Sequence, residues 1–224
     1  MALVRKILLF GLVIGAILAF AYARLFELRN LRVRHYLVGL PSLDPQLEGL
    51  RVAFLSDFHV NGPGVESDLA RRAIEVTLQE EPDLVLLGGD YFDSAKSKMM
   101  TDAFDGLTSF EHVFGVLGNH DFRYGDQSAR AVADVLEQRG VCVLRNSAVS
   151  VRIRDRDVTI VGVDDPYLER DDVDRALVMA REEATRPLIF MAHAPTLVSR
   201  LPVGIASLVL CGHTHGGQVR LSPV

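Results

Sequence analysis

Five of the seven histidines in this 224-residue chain lie in five short blocks that also hold well-placed Asp and Asn residues. The blocks are Asp57-Phe58-His59, Gly88-Gly89-Asp90, Gly118-Asn119-His120-Asp121, Ala192-His193 and Gly212-His213-Thr214-His215. Only His35 and His112 fall outside them. Each block follows an apolar run that reads as a buried strand. Oxygen donors, imidazoles and glycines at successive strand ends are what a two-metal hydrolytic site requires. Two adjacent divalent cations need a bridging carboxylate and further O or N donors on each side. Asp57 and His59, at i and i+2, point the same way on a strand and can chelate one ion. Asp90 follows two glycines that let the backbone pass close to a neighbour, which suits a bridging ligand. His213 and His215 repeat the i, i+2 spacing and can reach both ions. Asn119 offers a neutral oxygen. His120 beside it is read as facing the substrate, where it protonates a leaving oxygen or stabilises phosphoryl charge. Asp121 is expected to orient that imidazole and raise its pKa. Each block alone is a weak signal, since a histidine near a core is usually just hydrogen-bonded there. Order, strand-end placement and ligand chemistry agree only when the blocks are taken together.

The elements that must position these blocks alternate. Strands are expected at Arg51–Ser56, Asp83–Leu87, Val113–Leu117, Val141–Leu144, Val149–Arg154, Val158–Val163, Pro187–Met191 and Ser207–Cys211. Apolar residues at helical spacing predict helices over Glu66–Gln79, within 99–110, over Gly125–Arg139 and over Asp171–Ala184. His35–Leu40 reads as a first edge strand stopped by Pro41, and Leu43–Leu50 as a loop. The strands at 149–154 and 158–163 are read as a hairpin. Strands alternating with helices, followed by consecutive strands, predict an α/β layered sandwich rather than a barrel. Ligands in such sheets gather at the carboxyl ends of strands, where all five blocks lie.

The N-terminus differs from the rest. Ile7–Ala23 is an unbroken apolar run between Arg5-Lys6 and Arg24. At about 17 residues it reaches the short end of a bilayer span. It reads as an uncleaved signal anchor or, because Ala21-Tyr22-Ala23 resembles a cleavage site, as a cleavable signal peptide. Its length favours the anchor, and the lack of a polar face argues against a buried core helix. Residues 1–34 carry six Lys/Arg and one acidic residue, whereas the remainder carries 18 basic and 28 acidic residues. Arg24, Arg29, Arg32 and Arg34 after the run lean toward a cytoplasmic catalytic domain. They also suit anionic headgroups or a solvated linker. The membrane face stays open. The acidic body speaks against a non-specific nucleic-acid partner. Cys142 and Cys211 form no recognisable framework, and Cys211 reads as a small core residue.

The block set resembles the calcineurin-like metallophosphoesterase family, whose motifs run D-x-H, G-D, G-N-H-D/E, H and G-H-x-H. The likeness extends from Arg51 to Gln218. The anchor together with Gly-His-Thr-His-Gly-Gly-Gln resembles its membrane-associated bacterial branch, which implies the bacterial inner membrane. The resemblance implies an α-β-β-α sandwich. It implies that Asp57, His59, Asp90 and His215 bind one ion, and that Asp90, Asn119, His193 and His213 bind the other. It makes His120, paired with Asp121, the catalytic imidazole, and implies in-line attack on phosphorus by a hydroxide bridging the ions. Mn²⁺ is the expected metal, with Fe or Zn²⁺ as alternatives. The implied domains are an anchor and linker over 1–34 and a catalytic domain over 35–224, the latter expected to lack further C-terminal strands. Protein phosphatases of this superfamily read G-D-Y-V-D-R-G and R-G-N-H-E. Here Ser94 and Leu117 stand where their phosphate-binding arginines would be, and Asp93 is singled out as a supporting residue. The expected substrate is therefore a phosphodiester or pyrophosphate, including a lipid-linked one. A non-catalytic tethered scaffold and a nucleotide phosphodiesterase are the alternatives.

Overall fold

The computed structural model describes residues 2–26, 30–40, 43–93, 101–183 and 187–216. Pro41, Ser94 and the Gly217-Gln218 pair singled out above lie outside them. The chain falls into two units, Met1–Leu37 and Val38–Val224. In the first, α1 (Ala2–Leu25) is long and apolar enough to cross a membrane. At ~1.5 Å per residue its length of about 36 Å exceeds the ~30 Å hydrocarbon layer. Its large apolar side chains, Leu8, Leu12 and Phe20 among them, are solvent-exposed in the unit itself.

The second unit is built on two four-stranded sheets. The first, in order β1 (Val52–Leu55), β2 (Leu84–Leu87), β3 (Val113–Gly115) and β4 (Cys142–Val143), is parallel throughout. The second is ordered β5 (Ser147–Ile153), β6 (Arg156–Gly162), β7 (Leu188–Ala192) and β8 (Leu208–Cys211). There β5 and β6 form the expected antiparallel hairpin, while β6, β7 and β8 run parallel. Helices α2 (Val65–Gln79), α3 (Asp126–Glu137) and α4 (Val173–Glu183) fill the crossovers.

Side-chain alternation along the strands makes the layers. Val85 and Leu87 of β2 turn outward onto Ala70 and Ile74 of α2 and Val132 and Leu136 of α3. Leu84 and Leu86 turn inward to meet Val158, Ile160, Ile189 and Met191 of the other sheet. Val161, Phe190 and Ala192 pack the far face of that sheet on Ala176, Leu177 and Ala180 of α4. The result is the α-β-β-α sandwich. Strands buried on both faces must be apolar at every position, which is why β2 reads Leu-Val-Leu-Leu.

Two local expectations are corrected. His35–Leu40 forms no strand: residues 30–40 lack regular structure, Tyr36, Leu37 and Val38 are exposed, and no strand pairs with them among the described residues. An apolar run without a partner has no ladder to join. The helix expected within 99–110 is a 3-10 stretch, Thr101–Ser109, whose Asp, Gly, Thr and Ser residues are weak α-helix formers. It still buries Ala103, Phe104 and Leu107.

Leu86 is fully buried in the core between the sheets. Replacing Leu86 by Ala is expected to lower stability by about 2–5 kcal/mol. Urea unfolding of the detergent-solubilised chain measures this, and a change well under 1 kcal/mol would contradict the inter-sheet assignment.

Candidate metal centre

The five blocks converge at the carboxyl ends of β1, β2, β3, β7 and β8. Beyond β1 and β2 the chains stay laced together. The N–H groups of Asp57, His59 and Val60 donate to the carbonyls of Gly89, Asp90 and Tyr91, each at 3.0 Å. Here Asp57 (φ 60°), His59 (47°) and Asp90 (56°) are left-handed, as are His213 (69°) and His215 (49°) past β8. Asp and His tolerate this region better than most residues, yet each instance costs of order 1–3 kcal/mol. Left-handed turns re-aim side chains away from simple strand alternation and toward one another.

The donor atoms form two sets that share one carboxylate oxygen. Asp90 Oδ2 lies 3.6 Å from His59 Nε2 and 3.2 Å from His193 Nε2. On the first side, His59 Nε2 is 3.1 Å from His215 Nε2, which is 3.5 Å from Asp57 Oδ1. On the second, His213 Nδ1 is 3.2 Å from His193 Nε2 and 3.1 Å from Asn119 Oδ1. His213 and His215 thus divide between the sets. The far ring nitrogens are engaged: His193 Nδ1 donates to the Gly88 carbonyl at 2.7 Å, and His59 Nδ1 to Asp93 Oδ1 at 2.8 Å. Those bonds fix the tautomers that turn the Nε2 lone pairs inward. Convergent imidazole and carboxylate lone pairs, with no thiolate among them, fit a divalent cation on each side of Asp90. Asp57, His59 and His215 bring their donor atoms within 4.8 Å of one another, as do Asp90, His193 and His213, and a third such group joins His59, Asp90 and His120.

His120 and Asp121 part company. The Nδ1–H of His120 donates to Asp93 Oδ1 at 2.6 Å, so one carboxylate oxygen holds both His120 and His59. The expected pairing of His120 with Asp121 is not made. Asp121, 1% exposed, instead accepts the backbone N–H groups of Asp90 (2.9 Å), Tyr91 (3.0 Å) and Gly118 (2.9 Å). Neighbouring residues in this turn point apart, so the carboxylate nearest in sequence serves the backbone and the one 27 residues earlier serves the imidazole. The Gly-Asp-x-x-Asp spacing was the signal for Asp93. Two further neighbours had none: Arg123, whose Nη1 donates to the Asp93 carbonyl at 3.2 Å, and Tyr167, whose ring lies 5.1 Å from that of His213.

Two glycines allow this closeness. A Cβ on Gly118 would strike the Asp90 carboxylate, and one on Gly89 (φ 96°) would lie 2.6 Å from the Gly118 nitrogen. Beneath them, Tyr91 is fully buried and packs with Phe58 and Phe104 at 6.1 and 5.9 Å.

The site's electrostatics follow from burial and pairing. Burial pushes Asp90 upward, but its hydrogen bond and charge interaction with His193 and the His120 N–H at 2.8 Å outweigh this and hold it below the usual carboxylate range. Burial also lowers His193, yet Asp90 overrides it and pushes the imidazole up to about 9. Proton and cation compete for that nitrogen. Asp121 is raised to about 7, first by burial and then by the charge on Asp90, against its three backbone hydrogen bonds.

Asp121→Asn turns an NH₂ group toward a buried backbone N–H. The expected loss is about 1–3 kcal/mol of stability, with metal content falling alongside. Thermal melts and elemental analysis read both. An unchanged Tm with reduced turnover alone would return Asp121 to a role on His120.

A profile described as Calcineurin-like phosphoesterase matches residues 50–217, which contain every block. Phosphodiesterase YaeI of Escherichia coli (strain K12) is 32% identical over 174 residues, covering 76% of this chain and 62% of the relative. A Danio rerio protein described as a transmembrane protein with metallophosphoesterase domain is 31% identical over 229 residues, covering 93% of this chain and 50% of the relative. The chain thus spans between half and about three-fifths of these curated relatives' length. Among solved structures, the NAD nucleotidase of Haemophilus influenzae aligns with a TM-score of 0.51 at 16% identity, over 74% of this chain and 38% of that one. That likeness concerns the fold alone. With the sandwich, the paired donor sets and the matched residues in agreement, the chain belongs to the calcineurin-like phosphoesterase family of metal-dependent hydrolases.

Proposed function

We propose that this chain is a two-metal phosphodiesterase or pyrophosphatase tethered to a membrane by α1. The observation that carries the reading is Asp90 Oδ2, flanked at 3.6 and 3.2 Å by imidazole nitrogens of two separate donor sets. Asp57, His59, Asp90 and His215 would hold one ion, and Asp90, Asn119, His193 and His213 the other. The purely O and N donors suit Mn²⁺, with Fe or Zn²⁺ as alternatives. When bound, such cations neutralise phosphoryl charge and ready a water for attack. His120, clamped by Asp93 and part-exposed, presents its second nitrogen to the substrate. As the water oxygen bonds to phosphorus and the ester P–O bond breaks, His120, protonated on both nitrogens for this step, gives the proton of its second nitrogen to the leaving oxygen and regains one from solvent. The water proton passes to solvent. Asp121 acts at a distance, by holding the Asp90 and Gly118 turns together.

The membrane span in the same chain supports a lipid-linked ester or pyrophosphate as substrate and, following the bacterial branch it resembles, an inner-membrane location. The test is purified full-length protein with Mn²⁺, offered an aryl phosphodiester, an aryl phosphomonoester and a lipid pyrophosphate. Turnover that EDTA abolishes and Mn²⁺ restores is expected, and no metal-dependent turnover of any of them would count against the reading. His120→Ala should keep its metal and lose roughly 10²–10⁴-fold in kcat. Unchanged kcat would remove His120 from the chemistry. Tethering by α1 predicts that the chain stays with membranes through an alkaline carbonate wash; release into the soluble fraction would contradict it.

A further inference from the structure

The loop between β6 and α4 is held far more firmly than its exposure would require. Asn146, left-handed at φ 51°, accepts the N–H groups of Asp164 (3.0 Å) and Asp172 (2.8 Å) at its two ends. It also donates to the Arg170 carbonyl at 3.0 Å. Arg145 grips buried Asp164 with two nitrogens, at 2.9 and 3.1 Å. Asp165 accepts the Leu168 N–H at 2.8 Å. Arg170 lies 4.7 Å over the Phe122 ring and pairs with Asp126. Midway along this clamped loop, Tyr167 stands 60% exposed with its ring against His213. The side chain gains little from burial there, and His213 already meets Asn119 and His193.

We propose that Tyr167 is the binding platform for an aromatic group that remains on phosphorus, and that it makes the site selective for phosphodiesters carrying such a group over phosphomonoesters. The inference rests on the hydrolytic reading above and names its substrate class. His120 touches the ring of His59 in the first donor set, 4.6 Å between centroids, whereas Tyr167 touches His213 in the second. A leaving oxygen protonated by His120 therefore departs on one side. The retained substituent is served by the other. A monoester has no retained substituent, so Tyr167 gives it nothing. A flat aromatic substituent gains the exposed ring face, and a methyl group too small to cover it gains little.

Three esters with one leaving group test this on full-length, Mn²⁺-loaded protein: bis(4-nitrophenyl) phosphate, methyl 4-nitrophenyl phosphate and 4-nitrophenyl phosphate. Tyr167→Ala should lose about tenfold in kcat/KM on the bis-aryl ester, through KM, the size of one lost aromatic contact. The methyl ester and the monoester should change less than twofold, and Tyr167→Phe should behave as wild type. Equal loss on all three esters, or a loss through kcat, would reduce Tyr167 to a structural residue and overturn the proposal, as would no loss at all. A second readout needs no turnover: calorimetry should show wild type binding phenylphosphonate more tightly than methylphosphonate, and Tyr167→Ala should erase the difference. A wild type that hydrolyses none of the esters yet keeps this preference would sink the hydrolytic reading and leave the platform standing. Equal binding of the two phosphonates by wild type would sink the platform alone.

Discussion

The carboxylate of Asp90 is the constraint around which the rest is arranged. It is 2% exposed, and burying a carboxylate costs several kcal/mol unless charge and hydrogen bonds return it. Part is returned by the His120 N–H on Oδ1 and by His193 beside Oδ2. A cation held by the neighbouring donors would return more. The neighbours are then fixed by what Asp90 needs. Gly118 must lack a Cβ because the carboxylate occupies that space. Asp121 must lie under the turn because its oxygens are what join the Asp90 and Gly118 backbones. Burial first, and then the charge on Asp90, raises Asp121, whereas His193 and the His120 N–H beside Asp90 hold that carboxylate low against its own burial.

The sandwich delivers these groups from both sheets. Asp57, His59, Asp90, Asn119 and His120 come from the ends of the first sheet, and His193, His213 and His215 from the second. Neither sheet alone supplies either donor set in full. Backbone bonds continue the ladders into the site: Gly88 N–H to the Leu55 carbonyl at 2.8 Å in the first sheet, Gly212 N–H to the His193 carbonyl at 2.9 Å in the second. Misalignment of the sheets would therefore separate the donor sets before it exposed much core.

Sequence and structure agree where the physics is local and periodic. Leu84–Leu87 and Leu188–Ala192 are legible as strands because burial on both faces demands uninterrupted apolar residues. The convergence of these side chains is legible because few other roles place His, Asp and Gly together at strand ends. His35–Leu40 misleads because an apolar run states that a partner is wanted, not that one is there. The Asp121 role misleads for a related reason. Adjacency in sequence suggested a pair with His120, but a tight turn sends neighbours in opposite directions, and Asp93 arrives across space instead. Tyr167 had no pattern at all: its place depends on Asn146, Arg145 and Phe122, which are brought near it only by the fold.

The left-handed residues of the candidate site connect stability to its geometry. Asp57, His59, Asp90, His213 and His215 each carry backbone strain that an ordinary strand end would relieve. Summed over the five residues at about 1–3 kcal/mol each, that strain is of the same order as a domain's whole net stability. The fold holds it because the same turns are over-determined: three ladder-like bonds join the Asp57–Val60 and Gly89–Tyr91 segments, and Asp121 ties the latter to Gly118. Donor atoms so fixed lose little further freedom when an ion binds, so the entropic cost of assembling the site falls on folding rather than on metal binding. A relaxed loop would bear that cost at every binding event. The rigidity that strains these five residues is thus what makes their lone pairs converge.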